Sequence, residues 1–331
     1  MTRSAAITDV AAASAPRWRK RALRWGITVL VVGVVGFFFA RALIDNWAQI
    51  QAEHLTFDWL WVVAAIIFAI AVPLTGLLWA RVVRALSPVA HVTVAEAVAV
   101  QSASWLLKYI PGQVGSVANK VIWAGRKGIS RTLVVISFVY ENVFLQLASI
   151  VPSMIILMLS LGAEIFGDNA SLLLLPLLVL VPFGVVMYKP FFHKIVSVPA
   201  RRALKQDIPA DFFLGSWRAV LFTTEFIGPR AINGIGFVLI CATITEVSPG
   251  EWLPFAAAYV LAGAIGILAF FVPSGLGVRE AVIVLVLSQY MPAPEAIIIS
   301  LLARVISTVG DGLVALIYVV VRRTIPKEYR P

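Results

Sequence analysis

Charge is scarce in this chain. Asp, Glu, Lys and Arg make up 13% of its 331 residues, where a soluble domain uses about a quarter. Its single cysteine, Cys241, lies within an apolar run, which excludes a disulfide framework and a thiolate metal cluster. The three histidines, His54, His91 and His193, fall at scattered positions near the ends of apolar runs, so no metal site is expected. There is no nucleotide-binding loop and no stretch polar enough for a soluble domain, and no cofactor is expected. What fills the chain is hydrocarbon: 60% of residues are hydrophobic and the mean hydropathy is +0.94. Apolar runs recur at 25–40, 59–80 and 172–187, each near the roughly 20 residues that cross a hydrocarbon core of about 30 Å. The fold class is all-α, a polytopic transmembrane helical bundle.

The net charge of +10 points to nucleic acid only until its placement is read. Arg3, Arg17, Arg19, Lys20, Arg21 and Arg24 precede the first apolar run. The next connection has Asp45, Glu53 and Asp58 and no base; the one after carries Arg81, Arg84, Lys108, Lys120, Arg126, Lys127 and Arg131. Glu164 and Asp168 follow without a base, then Lys189, Lys194, Arg201, Arg202, Lys205 and Arg218. Glu246 and Glu251 come next, and the chain closes on Arg322, Arg323, Lys327 and Arg330. This alternation is the positive-inside pattern. It places both termini in the cytoplasm of a cell (inner) membrane protein, with no nucleic-acid partner. The basic start and Ala40-Arg41-Ala42 resemble a secretory signal, but the apolar stretch is long and an arginine sits inside the cleavage site, which favours an uncleaved first helix.

Hydropathy predicts crossings near 25–44, 59–83, 131–161, 171–189, 218–244 and 295–321. A basic segment, 1–24, precedes a single membrane domain, 25–323, and a short tail, 324–331, follows it. Two apolar regions do not fit simple crossings. In one, 93–107 and 114–123 flank Lys108-Tyr109-Ile110-Pro111-Gly112; in the other, 252–271 and 278–290 flank Pro273-Ser274-Gly275-Leu276-Gly277. Both read as broken, re-entrant hairpins entering and leaving on one side, with Pro111, Gly112, Pro273, Gly275 and Gly277 as the breaks; a plain surface loop is the alternative. Exposed backbone at that depth is tolerable only inside protein or beside a wet cavity. Pro111 precedes Glu141 by thirty residues and Pro273 precedes Arg304 by thirty-one, each on a following helix. Crossing, hairpin, crossing therefore occurs twice with opposite orientation, an inverted repeat of the kind that places a substrate near the midplane.

Five ionisable residues fall deep in spans: Glu141, Glu225, Arg230, Arg304 and Asp311. Each costs about 2.5–3.5 kcal/mol at a helix centre, so they are expected to face one another or a hydrated cavity. Ser300, Arg304, Thr308 and Asp311 share a helical face; Asn142, Gln146, Ser149 and Ser153 form a polar stripe beside Glu141; Arg230 and Asn233 follow Gly228-Pro229. Interhelical pairs that only fix packing are the competing reading. A guanidinium offers a planar fork for phosphate, which favours a binding role for Arg230 and Arg304. Arg279 and Glu280 open the helix after the second break, where backbone donors can cradle an anion; Lys108 and Lys120 either do the same in the first hairpin or serve as ordinary anchors. Gly310-Asp311-Gly312 lacks the second deep aspartate of an intramembrane protease and the further aspartates of a metal-dependent phosphotransferase. No enzyme activity is expected.

Leu107-Lys108-Tyr109-Ile110-Pro111-Gly112-Gln113 and Val272-Pro273-Ser274-Gly275-Leu276-Gly277-Val278-Arg279-Glu280, with Arg304 on the last helix, resemble the lysylphosphatidylglycerol synthase transmembrane region, a flippase-like membrane family. The resemblance covers roughly 20–323; the family more often has glycine where Ser274 stands. In two-part relatives it implies that a cytoplasmic transferase makes an aminoacylated lipid and the membrane part moves it. No such transferase is present in this sequence, so synthase activity is not implied. The expected function is movement of a phospholipid or lipid-linked headgroup between leaflets. Arg304, Arg230 and Arg279 are the expected phosphate ligands, with Glu141, Glu280, Lys108, Tyr109 and Asp311 completing the site. The expected partners are membrane lipids, an anionic phospholipid or a polyprenyl-linked lipid, with homo-oligomerisation left open. The alternatives are a non-transporting scaffold or regulator of lipid or cell-envelope polysaccharide synthesis, and a lipid-modifying enzyme.

Overall fold

The computed structural model describes residues 57–109, 114–162, 212–269, 275 and 277–331, with parts of 181–197. The expected crossing at 25–44, most of that at 171–189, and the break residues Pro111, Gly112 and Pro273 lie outside the described residues. The described residues form helices and connections, with no strand among them. Eight helices carry the argument: α1 (Trp59–Leu86), α2 (Val94–Leu106), α3 (Val114–Lys127), α4 (Arg131–Leu161), α5 (Ser216–Cys241), α6 (Trp252–Leu268), α7 (Val278–Leu287) and α8 (Ala293–Val321).

Local chemistry sets their ends. The Asp58 carboxylate accepts the Leu60 N–H at 2.8 Å to start α1. Thr93 and Glu96 form a reciprocal capping box on α2. The Ser130 hydroxyl caps α4, which ends at Gly162 with φ +69°. α1, α4 and α8 are the three described helices long and apolar enough to cross a membrane. α5 has 26 residues, about 39 Å at 1.5 Å each, but Glu225, Pro229, Arg230 and Asn233 interrupt its middle, so the crossing expected there is long enough without being uniformly apolar. α2 and α3, with 13 and 14 residues, and α6 and α7, with 17 and 10, are short, as the two interrupted apolar regions require.

Packing is reciprocal. α1 lies on α5. In the first half α1 packs on α2, α2 on α3 and α3 on α4; in the second α5 packs on α6, α6 on α7 and α7 on α8. The halves then cross over, α4 against α5 and α6, α8 against α1 and α2. Two large apolar clusters result, and Ala69, Val72 and Val314 form a small third between α1 and α8. One large cluster gathers Trp79, Trp123, Phe144, Phe222 and Phe226 with α2 and α3; the other gathers Phe68, Phe237, Phe255, Tyr259 and Leu287 with α6, α7 and α8. Along α1 the order is second cluster at 64–68, first cluster at 79–86; along α4 and α5 it reverses, 133–148 then 150–157 and 219–226 then 237–241. The outer faces expose Trp59, Ile66, Ile70, Leu159, Val305, Val309 and Leu316, large apolar side chains in the number that a lipid-facing surface carries. Together these features make the chain a multi-pass helical membrane protein.

Candidate functional site

Between the two large apolar clusters, at mid-height of the long helices, lies a cavity of about 190 Å³. All eight helices line it, together with Lys108 and Gly275 of the two breaks. On α1 its wall is Phe68, Ala71, Val72 and Thr75; on α5 it is Pro229, Arg230 and Asn233, each flanked along the helix by the clusters above and below. Glu141 and Asn142 come from α4, Arg279 from α7, and Ser307, Gly310 and Asp311 from α8.

Two close approaches bring the second break to this wall. Gly275 has φ +64°, and a Cβ there would meet Gly266 Cα at 2.7 Å; only glycine fits this turn against α6. A Cβ on Gly266 would in turn meet Arg279 Cγ at 2.6 Å, so the missing side chain is the slot through which Arg279 reaches the cavity. Gly277, at φ +79°, donates its N–H to the Glu280 carboxylate at 2.6 Å and starts α7.

The charges sort into pairs. Lys120, 1% exposed at its side chain, donates to the Glu141 carboxylate, itself 3% exposed. The Gln101 amide donates to the other Glu141 oxygen at 2.8 Å, and the Lys120 ammonium sits 4.3 Å from the Trp79 ring centre. Lys108 donates to Asp311 at 2.8 Å, and the Trp105 indole N–H donates to Asp311 at 2.7 Å. Arg304 lies 3.7 Å from Glu280. Arg230 is 9% exposed and its Nε has no hydrogen-bond partner. The Arg279 guanidinium rests over the Tyr259 ring at 5.1 Å.

The cavity thus brings together Lys108, Glu141, Arg230, Arg279 and Asp311 of the expected residues. Arg304 and Glu280 are not on its wall but pair with each other between α7 and α8. Tyr109 closes the short turn after α2; its side chain lies outside the described residues. On α8 the inward face is Ser307 and Asp311, whereas Thr308 is exposed, a correction to the expected stripe of Ser300, Arg304, Thr308 and Asp311. Glu225 stands apart from the cavity, bound to Arg81 at 2.8 Å. Sequence reasoning left Lys120 between anchor and ligand and passed over Gln101, Trp105 and Tyr259. Gln101 is a polar residue in an apolar arm, a signal that was there to be read; nothing in spacing marks Tyr259.

The described helices turn polar and charged groups inward between the apolar clusters and apolar side chains outward, as a multi-pass membrane protein does. The chain belongs to the family described as the lysylphosphatidylglycerol synthase TM region, whose model matches residues 25–315. That family ties it to lipid synthesis or lipid flipping. No curated protein sequence matches the chain significantly.

Proposed function

We propose that this protein is a flippase that moves a phospholipid or lipid-linked headgroup between leaflets, and that it performs no covalent chemistry. The observation that carries this reading is the charged cavity between two large apolar clusters, walled by all of α1–α8. A headgroup cannot cross hydrocarbon without polar partners; the cavity offers fixed ones while acyl chains stay in the surrounding lipid. Arg230 and Arg279 hold the phosphate. Glu141 and Asp311, already bound to lysines, set the geometry of the wall rather than take a cationic headgroup. Arg304 acts through Glu280 at the root of the second hairpin.

The inverted repeat and re-entrant hairpins belong to this proposal. The reciprocal packing of α1–α4 and α5–α8, and the opposite order in which α1 and α5 pass the two clusters, support it: each hairpin closes one end of the cavity. The protein sits in the cell inner membrane with both termini in the cytoplasm, on the charge alternation of its loops, and its partners are membrane lipids.

Headgroup accessibility in proteoliposomes tests the function. Wild-type protein should move labelled lipid faster than empty vesicles, and Arg279→Gln should abolish most of the gain. Movement equal to that of empty vesicles would instead favour the scaffold reading, which the acid–base pairing at every acid of the site also suits. A chemically altered lipid in the same vesicles, seen by mass spectrometry, would turn the assignment toward an enzyme.

A further inference from the structure

In and beside the cavity, the described residues hold five bases and three acids, and the acids are all taken: Glu141 by Lys120, Asp311 by Lys108, Glu280 by Arg304. Two guanidinium groups remain. Arg230 is more than nine-tenths buried, lines the cavity, and keeps an Nε–H with no acceptor. Arg279 lines the same cavity from α7 over the Tyr259 ring; Glu280 and Asp311 act on its charge, but no carboxylate among the described residues lies within ion-pair distance of it. Their charges are near enough to repel each other. Two like charges held together out of water, on rigid helices and with a cavity between them, are half of a complex.

We infer that the cavity selects a lipid headgroup bearing two negative charges, a phosphate monoester or a diphosphate, over singly charged phosphodiesters and zwitterions. This rests on the proposal that a headgroup enters the cavity. A phosphodiester brings one charge and leaves the second guanidinium uncompensated. A zwitterionic or cationic headgroup adds a positive charge where no acid is open to receive it. A terminal phosphate satisfies both: its oxygens accept from two planar forks, each able to give paired N–H donors, and its two charges bring the site to neutrality.

The test is binding to the purified full-length protein with dioctanoyl probes. Phosphatidate is a monoester, CDP-diacylglycerol carries an internal diphosphate, and phosphatidylglycerol is a singly charged diester. At pH 7.5 phosphatidate or CDP-diacylglycerol should bind at least about tenfold tighter than phosphatidylglycerol, a gap of about 1.4 kcal/mol. Arg230→Gln and Arg279→Gln should each shrink the gap to about threefold or less. The second phosphate ionisation near pH 6 separates the two sources. A monoester site loses affinity for phosphatidate several-fold at pH 5.5, while a diphosphate site keeps CDP-diacylglycerol unchanged. The wild-type measurements need no variant to fold. Equal binding of phosphatidylglycerol and both doubly charged probes overturns the inference. Preference for two charges without lipid movement in vesicles would leave the inference standing and remove the transport reading; movement with equal binding would do the reverse.

Discussion

Replacing Glu141 by alanine probes the buried pair at the centre of the fold. It removes the acceptor of both Lys120 and Gln101 and leaves the ammonium, 1% exposed, among Trp79, Phe138 and apolar neighbours. The ring faces already act on Lys120 in the native protein, so they do not offset the loss. Removing one partner of a buried ion pair costs about 3–5 kcal/mol. At about 2–4 °C per kcal/mol for chains of this order, Tm in detergent should fall by roughly 6–20 °C. Replacing the pair by apolar side chains of similar volume, Lys120→Met with Glu141→Leu, should recover most of it, because that exchange is close to neutral. An alanine variant melting within about 1 °C of wild type would refute the claim that Lys120 and Glu141 form a buried, obligatory pair. The stable double variant then separates packing from function: if it still moves lipid, the pair serves the fold alone.

Gly275→Ala meets the Gly266 backbone and a positive φ at once; strain of about 1–3 kcal/mol should lower Tm and loosen the seat of Arg279, seen as weaker lipid binding. Trp105→Phe removes one of the donors to Asp311, costing about 1–3 kcal/mol, while Lys108 holds its bridge; an unchanged Tm would show that this indole donor is dispensable. Cysteines at Gln113 and Ser274, which spare the glycine turn, should label from opposite sides of sealed vesicles. Labelling from one side removes the inverted repeat.

Much of the fold was legible because a bilayer asks for length and hydropathy together. The three apolar crossings stand where apolar run and charge spacing put them, and both interrupted regions divide into short helices, with Gly275 and Gly277 in the gap of the second. The site was legible as a set of charges and not as a set of pairs. Glu141 stands on α4 but meets Lys120 from α3 and Gln101 from α2, and Asp311 meets Lys108 and Trp105 across more than 200 residues. Periodicity gives the face of one helix; it carries no information about which helix arrives opposite. Thr308 shows the limit within a single helix. A polar residue four positions from Arg304 looks inward on a wheel, yet its hydroxyl bonds back to the Arg304 carbonyl, which satisfies it on an exposed face.

The paired charges also say which element any opening must involve. Lys108 at the first break reaches Asp311, and Glu280 after the second reaches Arg304. Arg304 and Asp311 are seven residues apart, two turns along one face of α8. α8 is therefore the strut to which both hairpins are fastened, with opposite sign at each fastening: a base from the first hairpin on an acid, an acid from the second on a base. On the proposed function, a headgroup phosphate arriving at Arg279 would sit one residue from Glu280 and add negative charge there. It would compete with Glu280 for cationic partners and pull on the α7 end of that bridge. Lys108, whose charge feels both Arg279 and Arg304, would gain from the same anion and be drawn from Asp311 toward the cavity. On the proposed function, the arriving negative charge would strain both fastenings and so loosen the two interrupted regions around the cavity.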